Sequence, residues 1–248
     1  MPQTYGGKTY EELNSEAIAS GNDGITWNGQ VQLNPKGNKL AYVSEKDNLK
    51  TLSVFMYDLE EEKEVLVAGS EDDDYLIVGW IDENTVICYR LNGKEVDLVS
   101  INESGRVNNL GLETKEVHVI DVRENLLAYF DSACRNIWVT WFENGEIVDV
   151  LHIPIEQGIV VLMPDDDAFN PSGNKLAFIY KANDGGRRYI WTVDLFSKEV
   201  SKDLTLPPID EEKIGVYRFS WINDDEMIVN IFADRDNKET ISTWKYTL

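Results

Sequence analysis

The stretch from residue 166 to residue 200 alternates short apolar segments with turn signals. Residues 170–174 read NPSGN, and such a sequence favours a tight turn because Pro fixes a negative φ and Gly permits a positive one. The segments LAFIY at 176–180 and YIWTVDL at 189–195 are short, apolar and rich in β-branched and aromatic residues, which favours strands. The stretch therefore predicts a small antiparallel sheet.

The same arrangement of strand, turn and strand recurs along the chain. If the proline of the NPSGN turn is taken as a landmark, the equivalent positions are Pro35, Asp82, Val122, Pro171 and Asn223. Spacings near 40–50 residues are typical of propeller repeats, and each unit has room for four short strands. Long helical periodicity is absent after residue 25. We therefore predict an all-β fold, a five-bladed β-propeller of four-stranded antiparallel sheets.

The spacing also predicts the limits of the blades within a single domain covering residues 1–248. The blades are expected at roughly residues 25–70, 75–112, 115–155, 159–206 and 214–248. The last unit ends without a fourth strand, and residues 8–13 resemble the fourth strand of the preceding unit. We predict that residues 8–13 pair with residues 240–247 and close the last blade, since pairing removes an exposed sheet edge. A helix capped by Thr9 and Glu12 is the alternative.

One position in every unit is predicted to pack between neighbouring sheets. It lies two residues before each landmark and is always large and apolar. The residues are Leu33, Trp80, Ile120, Phe169 and Trp221. A series of aromatic residues in a repeat could also stack on a ligand, but core packing is the favoured interpretation.

The motif at residues 169–178 and 190–195 resembles the TolB-like repeat. Residues 33–42 and 56–59 repeat it. The resemblance implies a WD40-like β-propeller of bacterial type, as in TolB and in the propeller domains of prolyl-oligopeptidase-type peptidases. Those peptidases carry their serine nucleophile on a separate hydrolase domain, so the resemblance implies no catalytic residue here. The family usually has six to eight blades, which leaves open a closed ring of five or a piece of a larger one.

The charge composition of the chain limits the classes of partner that are expected. The chain has 45 acidic and 23 basic residues and a formal net charge of −22, and such a field repels nucleic acids and anionic lipids. A protein or peptide partner, or a cationic ligand, is expected, and the chain is expected to be a monomer. No apolar run approaches the roughly 20 residues of a membrane helix, and no signal peptide is visible. An extracytoplasmic location, with the signal removed, is favoured over a cytoplasmic one.

Candidate ligand contacts are few. Asp165, Asp166 and Asp167 lead into the innermost strand of the fourth unit, where propellers usually bind ligands. Asp165 and Asp167 are candidate Ca²⁺ ligands, because carboxylates are hard oxygen donors; a solvated loop is the alternative. Arg187 and Arg188 form the only paired basic spot, suited to neighbouring carboxylates or to an acidic ligand.

No catalytic constellation is recognisable in the sequence. The two histidines, His118 and His152, lie on predicted strands without the partners of a catalytic triad or a metal site, and they are predicted to be ordinary strand residues. A non-catalytic binding module acting through the central funnel or a blade face is therefore the predicted function. The alternatives are a carbohydrate-active hydrolase or lyase with a funnel carboxylate site, and the accessory propeller of a longer peptidase.

Overall fold

The computed structural model describes most of the strand-bearing part of the chain. The described residues are 4–5, 8–9, 31–45, 51–93, 95–112, 117–156, 158–161, 168–183, 187–206, 216–232 and 240–247. All regular elements within these ranges are strands. No helix in them is long and apolar enough to cross a membrane.

Five antiparallel sheets follow one another along the chain, each built from strands consecutive in sequence. The first sheet contains β3 (Val31–Leu33), β4 (Lys39–Ser44), β5 (Ser53–Asp58) and β6 (Lys63–Ala68). The second contains β7 (Asp73–Trp80), β8 (Thr85–Asn92), β9 (Glu95–Asn102) and β10 (Val107–Asn109). The third contains β11 (Val117–Arg123), β12 (Leu126–Asp131), β13 (Asn136–Glu143) and β14 (Glu146–Pro154).

The fourth and fifth sheets complete the series. The fourth contains β15 (Gly158–Val160), β16 (Lys175–Ala182), β17 (Arg188–Asp194) and β18 (Glu199–Thr205). The fifth contains β19 (Val216–Asn223), β20 (Glu226–Phe232) and β21 (Thr240–Thr247), and has three strands among the described residues. The prediction of an all-β fold with five successive antiparallel blades is confirmed.

The chain divides into two compact units, and each has its own core. One comprises Met1–Lys115 and Phe142–Val148, and the other comprises Glu116–Trp141 and Asp149–Leu248. In the first unit, β4 and β5 pack on β7, β8 and β9 through residues such as Val43 and Val86. In the second, one core joins the third and fourth sheets and another joins the fourth and fifth.

The turn signals behave as the sequence predicts. Gly37 and Gly173 have φ values of 78° and 68°, in the left-handed region that glycine enters without penalty. The N–H of each glycine donates to the carbonyl of the asparagine three residues earlier, Asn34 and Asn170, at 2.9 Å. Each therefore closes the tight turn between the first and second strands of its sheet.

The position two residues before each landmark has a packing role. Phe169 is fully buried and Trp80 is 5% exposed, while Leu33, Ile120 and Trp221 are half-buried. The two tryptophans also tie sheets together. Trp80 Nε1 donates to the carbonyl of Gln32 at 3.1 Å, and Trp221 Nε1 donates to the carbonyl of Ala168 at 3.2 Å.

The N-terminal segment pairs differently from the prediction where it is described. Lys8 and Thr9 form β2 and pair with Tyr5 and Thr4 of β1 in a separate two-stranded sheet. Only two residues separate these strands in sequence, so their pairing costs far less loop entropy than pairing with β21. Residues 10–13, the rest of the predicted closing strand, lie outside the described residues.

Candidate binding groove

Four aromatic residues cover one face of the fourth sheet. Tyr180 of β16 pairs with Tyr189 of β17, and Phe178 pairs with Trp191. The rings of Tyr180 and Trp191 are stacked with centroids 4.6 Å apart, and Phe178 meets Trp191 edge-on at 5.7 Å. Such contacts stabilise aromatic pairs beyond the area they bury. Phe178, Tyr180 and Trp191 are buried and belong to the core between the third and fourth sheets, while Tyr189 is half-buried. The aromatic face is therefore a packed and ordered layer, of which Tyr189 is the most accessible ring.

Gly158 of β15 makes room for this face. A Cβ atom added there would lie 2.3 Å from Cε2 of Tyr180 and 2.2 Å from the carbonyl oxygen of Lys181. Both distances are far below van der Waals contact, and the second involves the backbone of the neighbouring strand. Tyr180 can occupy its position only because residue 158 has no side chain.

The opposite wall comes from β14, the outer strand of the third sheet. Leu151, Ile153 and Pro154 line it, and Glu156 follows just after the strand ends. Ala182 and Val200 complete the wall formed by the fourth sheet. The space between the walls is a groove of about 580 Å³, within the ~300–1,000 Å³ typical of ligand pockets.

One end of the groove carries an ion pair. Lys198, in the turn that leads into β18, lies 3.0 Å from Asp149 of β14. Its ammonium group also lies 5.7 Å from the ring centroid of Trp141, a cation–π arrangement. The hydrogen bond from Lys198 holds the pKa of the Asp149 carboxyl below its ordinary value. The lysine is thus held in place between the third and fourth sheets.

The repeat offers an internal comparison for the groove. The Tyr180–Tyr189 pair corresponds in the first sheet to Ser44 of β4 and Ser53 of β5, which also face each other across neighbouring strands. Both serines are fully buried. The same two positions thus carry large rings in the fourth sheet and small buried hydroxyls in the first.

The predicted ligand residues lie away from the groove or outside the described part of the chain. Asp165, Asp166 and Asp167, with the Ca²⁺ site proposed for two of them, lie outside the described residues. Arg187 is exposed just before β17. Arg188 begins β17 and places its guanidinium 5.1 Å from the ring centroid of Tyr217, in the fifth sheet. The ligand-binding role of the two arginines stays a prediction.

Both histidines have packing partners, and His152 also lines the groove. The ring of His152 stacks on Trp138 at 5.2 Å, and its Nε2 lies 2.9 Å from Oδ1 of Asn136. His118 stacks on Phe130 at 5.2 Å. Within the described ranges, no group of three or more His, Cys, Asp or Glu side chains is arranged to hold a metal ion.

Sequence reasoning did not identify the groove, although part of its signal was available. Phe178 and Tyr180 are two residues apart, as are Tyr189 and Trp191, and residues two apart in a strand share a face. That spacing identifies an aromatic face. The partner wall on β14 carries no comparable signal, because its contribution depends on how the two sheets pack.

The comparisons with known proteins concern the fold. No protein-family model matches the chain, and no curated protein matches it in sequence. Among solved structures, the oligogalacturonate lyase of Vibrio parahaemolyticus aligns with 87% of this chain at 12% identity and a TM-score of 0.58. A prolyl oligopeptidase from Galerina marginata aligns with 95% at 13% identity and a TM-score of 0.57.

The alignment with TolB from Acinetobacter baumannii covers 82% of the chain at 12% identity, with a lower TM-score of 0.47. The chain spans 64% of the lyase, 35% of the peptidase and 52% of TolB. At these identities the likeness concerns fold alone. The likeness to the lyase and the peptidase confirms the propeller-type fold that the repeat predicted.

Proposed function

We propose that this chain is a non-catalytic binding module of the propeller type that holds a protein or peptide ligand in the groove of its second unit. The observation that carries the proposal is the aromatic-floored groove of about 580 Å³ between β14 and the fourth sheet. Tyr180 and Trp191 form a buried, rigid floor, and the half-buried Tyr189, Leu151 and Val200 present the accessible apolar area above it. Aromatic rings of this kind are enriched at the centres of interfaces.

The ion pair at the end of the groove supports a role in recognition. Lys198 is already paired with Asp149 and held over Trp141, which suits it to orient a ligand at the rim. The walls are mainly apolar, so a ligand with apolar side chains would gain most from entering.

The net charge of the chain indicates the charge expected of its partner. With a net charge of −22, the chain attracts cationic molecules at long range and repels polyanions. A basic peptide or a basic region of a protein is therefore the favoured ligand, and binding is expected to weaken as salt is added.

A carbohydrate-active enzyme is the second candidate, and one observation favours it. Glu64 accepts a hydrogen bond from the hydroxyl of the fully buried Tyr42. Although Glu64 as a whole is exposed, desolvation of its carboxyl group raises its pKa, which is the direction in which enzymes shift a general acid. The oligogalacturonate lyase fold gives a first substrate class to try. Turnover of an acidic oligosaccharide that Glu64→Gln abolishes would favour the enzyme over the binding module.

The binding proposal is tested by filling the groove. Ala182→Trp places a large ring between the walls, whereas Val150→Trp places the same ring on an exposed site of β14 that does not line the groove. A display library of random decapeptides should yield binders to the parent chain. Those binders should be lost with Ala182→Trp and kept with Val150→Trp.

Two results would overturn the proposal. One is a library that yields no binder to the correctly folded parent chain. The other is a set of binders that tolerate Ala182→Trp as well as Val150→Trp, because the ligand site would then lie elsewhere. Circular dichroism and thermal midpoints of both variants verify that neither substitution has unfolded the domain.

A further inference from the structure

Phe196 is the most exposed large apolar side chain of the described residues. It is 96% exposed, while the other exposed large apolar side chains range from 38% to 53%. It lies in the turn between β17 and β18, at residues 195–198. A phenylalanine left almost entirely in water adds no apolar burial to the fold, so its whole ring is available to a partner.

The turn holds Phe196 in a defined position. One carboxylate oxygen of Asp194 accepts hydrogen bonds from the N–H of Phe196 at 3.0 Å and from the N–H of Ser197 at 2.8 Å. The N–H of Leu195 donates to the carbonyl of Asn174 at 2.9 Å. Because the backbone is tied at three successive residues, the ring projects from an ordered turn.

The first sheet contains the same turn without the aromatic residue. There Asp58 accepts from the N–H of Glu60 and of Glu61, both at 2.9 Å, and the position equivalent to Phe196 is Glu60. The turn therefore forms equally well with a charged residue at this position. The phenylalanine is not needed for the local backbone geometry, which separates its role from folding.

Phe196 is two residues from the groove in sequence, within the same turn. Lys198, two residues further on, lines the groove and pairs with Asp149 at its end. From Asp149 to Glu156 the wall runs for roughly 20 Å at the rise of a β-strand. Two exposed carboxylates stand along this wall: Asp149, which pairs with Lys198 at one end, and Glu156 at the other.

We infer that the groove and Phe196 form one docking surface for an extended, basic and apolar segment of a partner protein. This inference rests on the proposed function and adds the identity of the segment. Apolar side chains of the segment lie on the aromatic floor, basic side chains face the bordering carboxylates, and Phe196 packs over the end of the segment next to Lys198. A second copy of this chain is a poor occupant, because two chains of charge −22 repel each other.

The test uses the full chain and two fluorescein-labelled pools of synthetic decapeptides. In one pool Lys or Arg alternates with Leu, Ile or Phe, and in the other Glu replaces the basic residues. Fluorescence anisotropy measures the affinity of each pool. The basic pool should bind and the acidic pool should bind at least about tenfold more weakly, which is a typical effect of reversing charge complementarity.

Two variants test the role of Phe196. Phe196→Ala removes the ring without changing the charge, and should weaken binding of the basic pool at least about tenfold, as loss of an aromatic anchor does. Glu60→Phe is the matched control, since it places the same ring on the equivalent turn of the first sheet. A ring at position 60 should not replace the ring at position 196. The double variant, Phe196→Ala with Glu60→Phe, should therefore bind the basic pool as weakly as Phe196→Ala alone.

The outcomes separate this inference from the proposed function. If both pools bind equally, or if Phe196→Ala binds the basic pool as well as the parent does, the docking surface is wrong while the groove remains a peptide site. If neither pool binds and the random library also fails, both are wrong. Light scattering of the parent chain completes the test, because a dimer that Phe196→Ala disrupts would identify a second copy as the occupant.

Discussion

Glycine serves two different physical purposes in the second unit. Gly173 is required for its backbone conformation, with φ at 68°, whereas an added Cβ there would meet only Leu126 at an ordinary 3.7 Å. Gly158 has no positive φ to explain it, and is required because its Cβ would overlap Tyr180 and the backbone of Lys181. The two residues therefore respond differently to the same substitution.

Gly173→Ala should lower the free energy of unfolding by about 1 kcal/mol, the cost of holding a side chain in the left-handed region. Gly173→Asn should cost less, because asparagine enters that region more readily. Urea denaturation measures both variants. A Gly173→Ala variant as stable as the parent would show that the turn does not need a positive φ.

Gly158→Ala should be the more harmful substitution, at about 2–3 kcal/mol, because the new methyl group overlaps a carbonyl that is part of the sheet. The new methyl group should also displace the ring of Tyr180, so the near-ultraviolet circular dichroism signal should change together with stability. Equal costs for the alanine variants of Gly158 and Gly173 would contradict the steric explanation.

At the scale of elements, side chains in the turn of one sheet form hydrogen bonds with the turn of the next sheet. Asn34 Nδ2 donates to the carbonyl of Glu83 at 2.9 Å in the first unit. Asn170 Nδ2 donates to Asp224 at 3.1 Å in the second. The lysine five residues after each asparagine reaches the same neighbouring turn, as Lys175 does at Asp225. The repeated motif thus specifies packing between sheets as well as a turn.

Asn170→Ala should cost about 1–3 kcal/mol, because Asn170 is fully buried and its removal leaves the N–H of Lys175 without its side-chain acceptor. Asp224→Ala should cost less, since Asp224 is half-buried. The double variant should lose less free energy of unfolding than the sum of the two single losses, because each single substitution already removes the contact between Asn170 and Asp224. Strict additivity in urea denaturation would show that the two turns are not coupled.

The Phe196 turn should loosen at low pH. The N–H of Ser197 holds the pKa of Asp194 below its ordinary value, so the turn is stabilised above the ordinary pKa of aspartate and loses that stabilisation as the pH falls through the lowered pKa. Hydrogen exchange should show lower protection factors for the Phe196 and Ser197 amides in acid. Asp194→Asn keeps an acceptor without the charge, and should remove this pH dependence; persistence of the dependence would assign it to another group.

At the scale of the whole molecule, the fifth sheet differs from the others in having three strands among the described residues. Lys8 and Thr9 pair with β1, so they do not provide a fourth strand in the described structure. Residues 10–13 keep the predicted role of pairing with residues 240–247, and the single-domain organisation likewise stays a prediction.

Two truncations test this prediction. Deleting residues 1–9 removes only the β1–β2 pair and should leave the thermal midpoint nearly unchanged. Deleting residues 1–14 should lower the midpoint and promote aggregation, because β21 would then keep an exposed edge with Trp244 on it. A protein lacking residues 1–14 that remains monomeric with the parent's midpoint would show that this segment does not close the sheet.

The repeat, the strands and the turns were predictable from the sequence because each depends on local physics. Pro and Gly set backbone dihedrals within a few residues, and β-branched and aromatic segments favour strands wherever they occur. The packing role of residues such as Phe169 and Trp80 followed from their recurrence at one position of the unit. These features required no knowledge of which sheet lies against which.

The groove and its partners were decided by tertiary structure. Arg188 and Tyr189 are adjacent in sequence, yet alternation along β17 sends the first to Tyr217 and the second into the groove. The wall at Leu151 comes from another sheet, and its distance from Tyr180 depends on how the two sheets pack. Local sequence determines the face on which a side chain lies, but the surface opposite that face is a property of packing between segments distant in the chain.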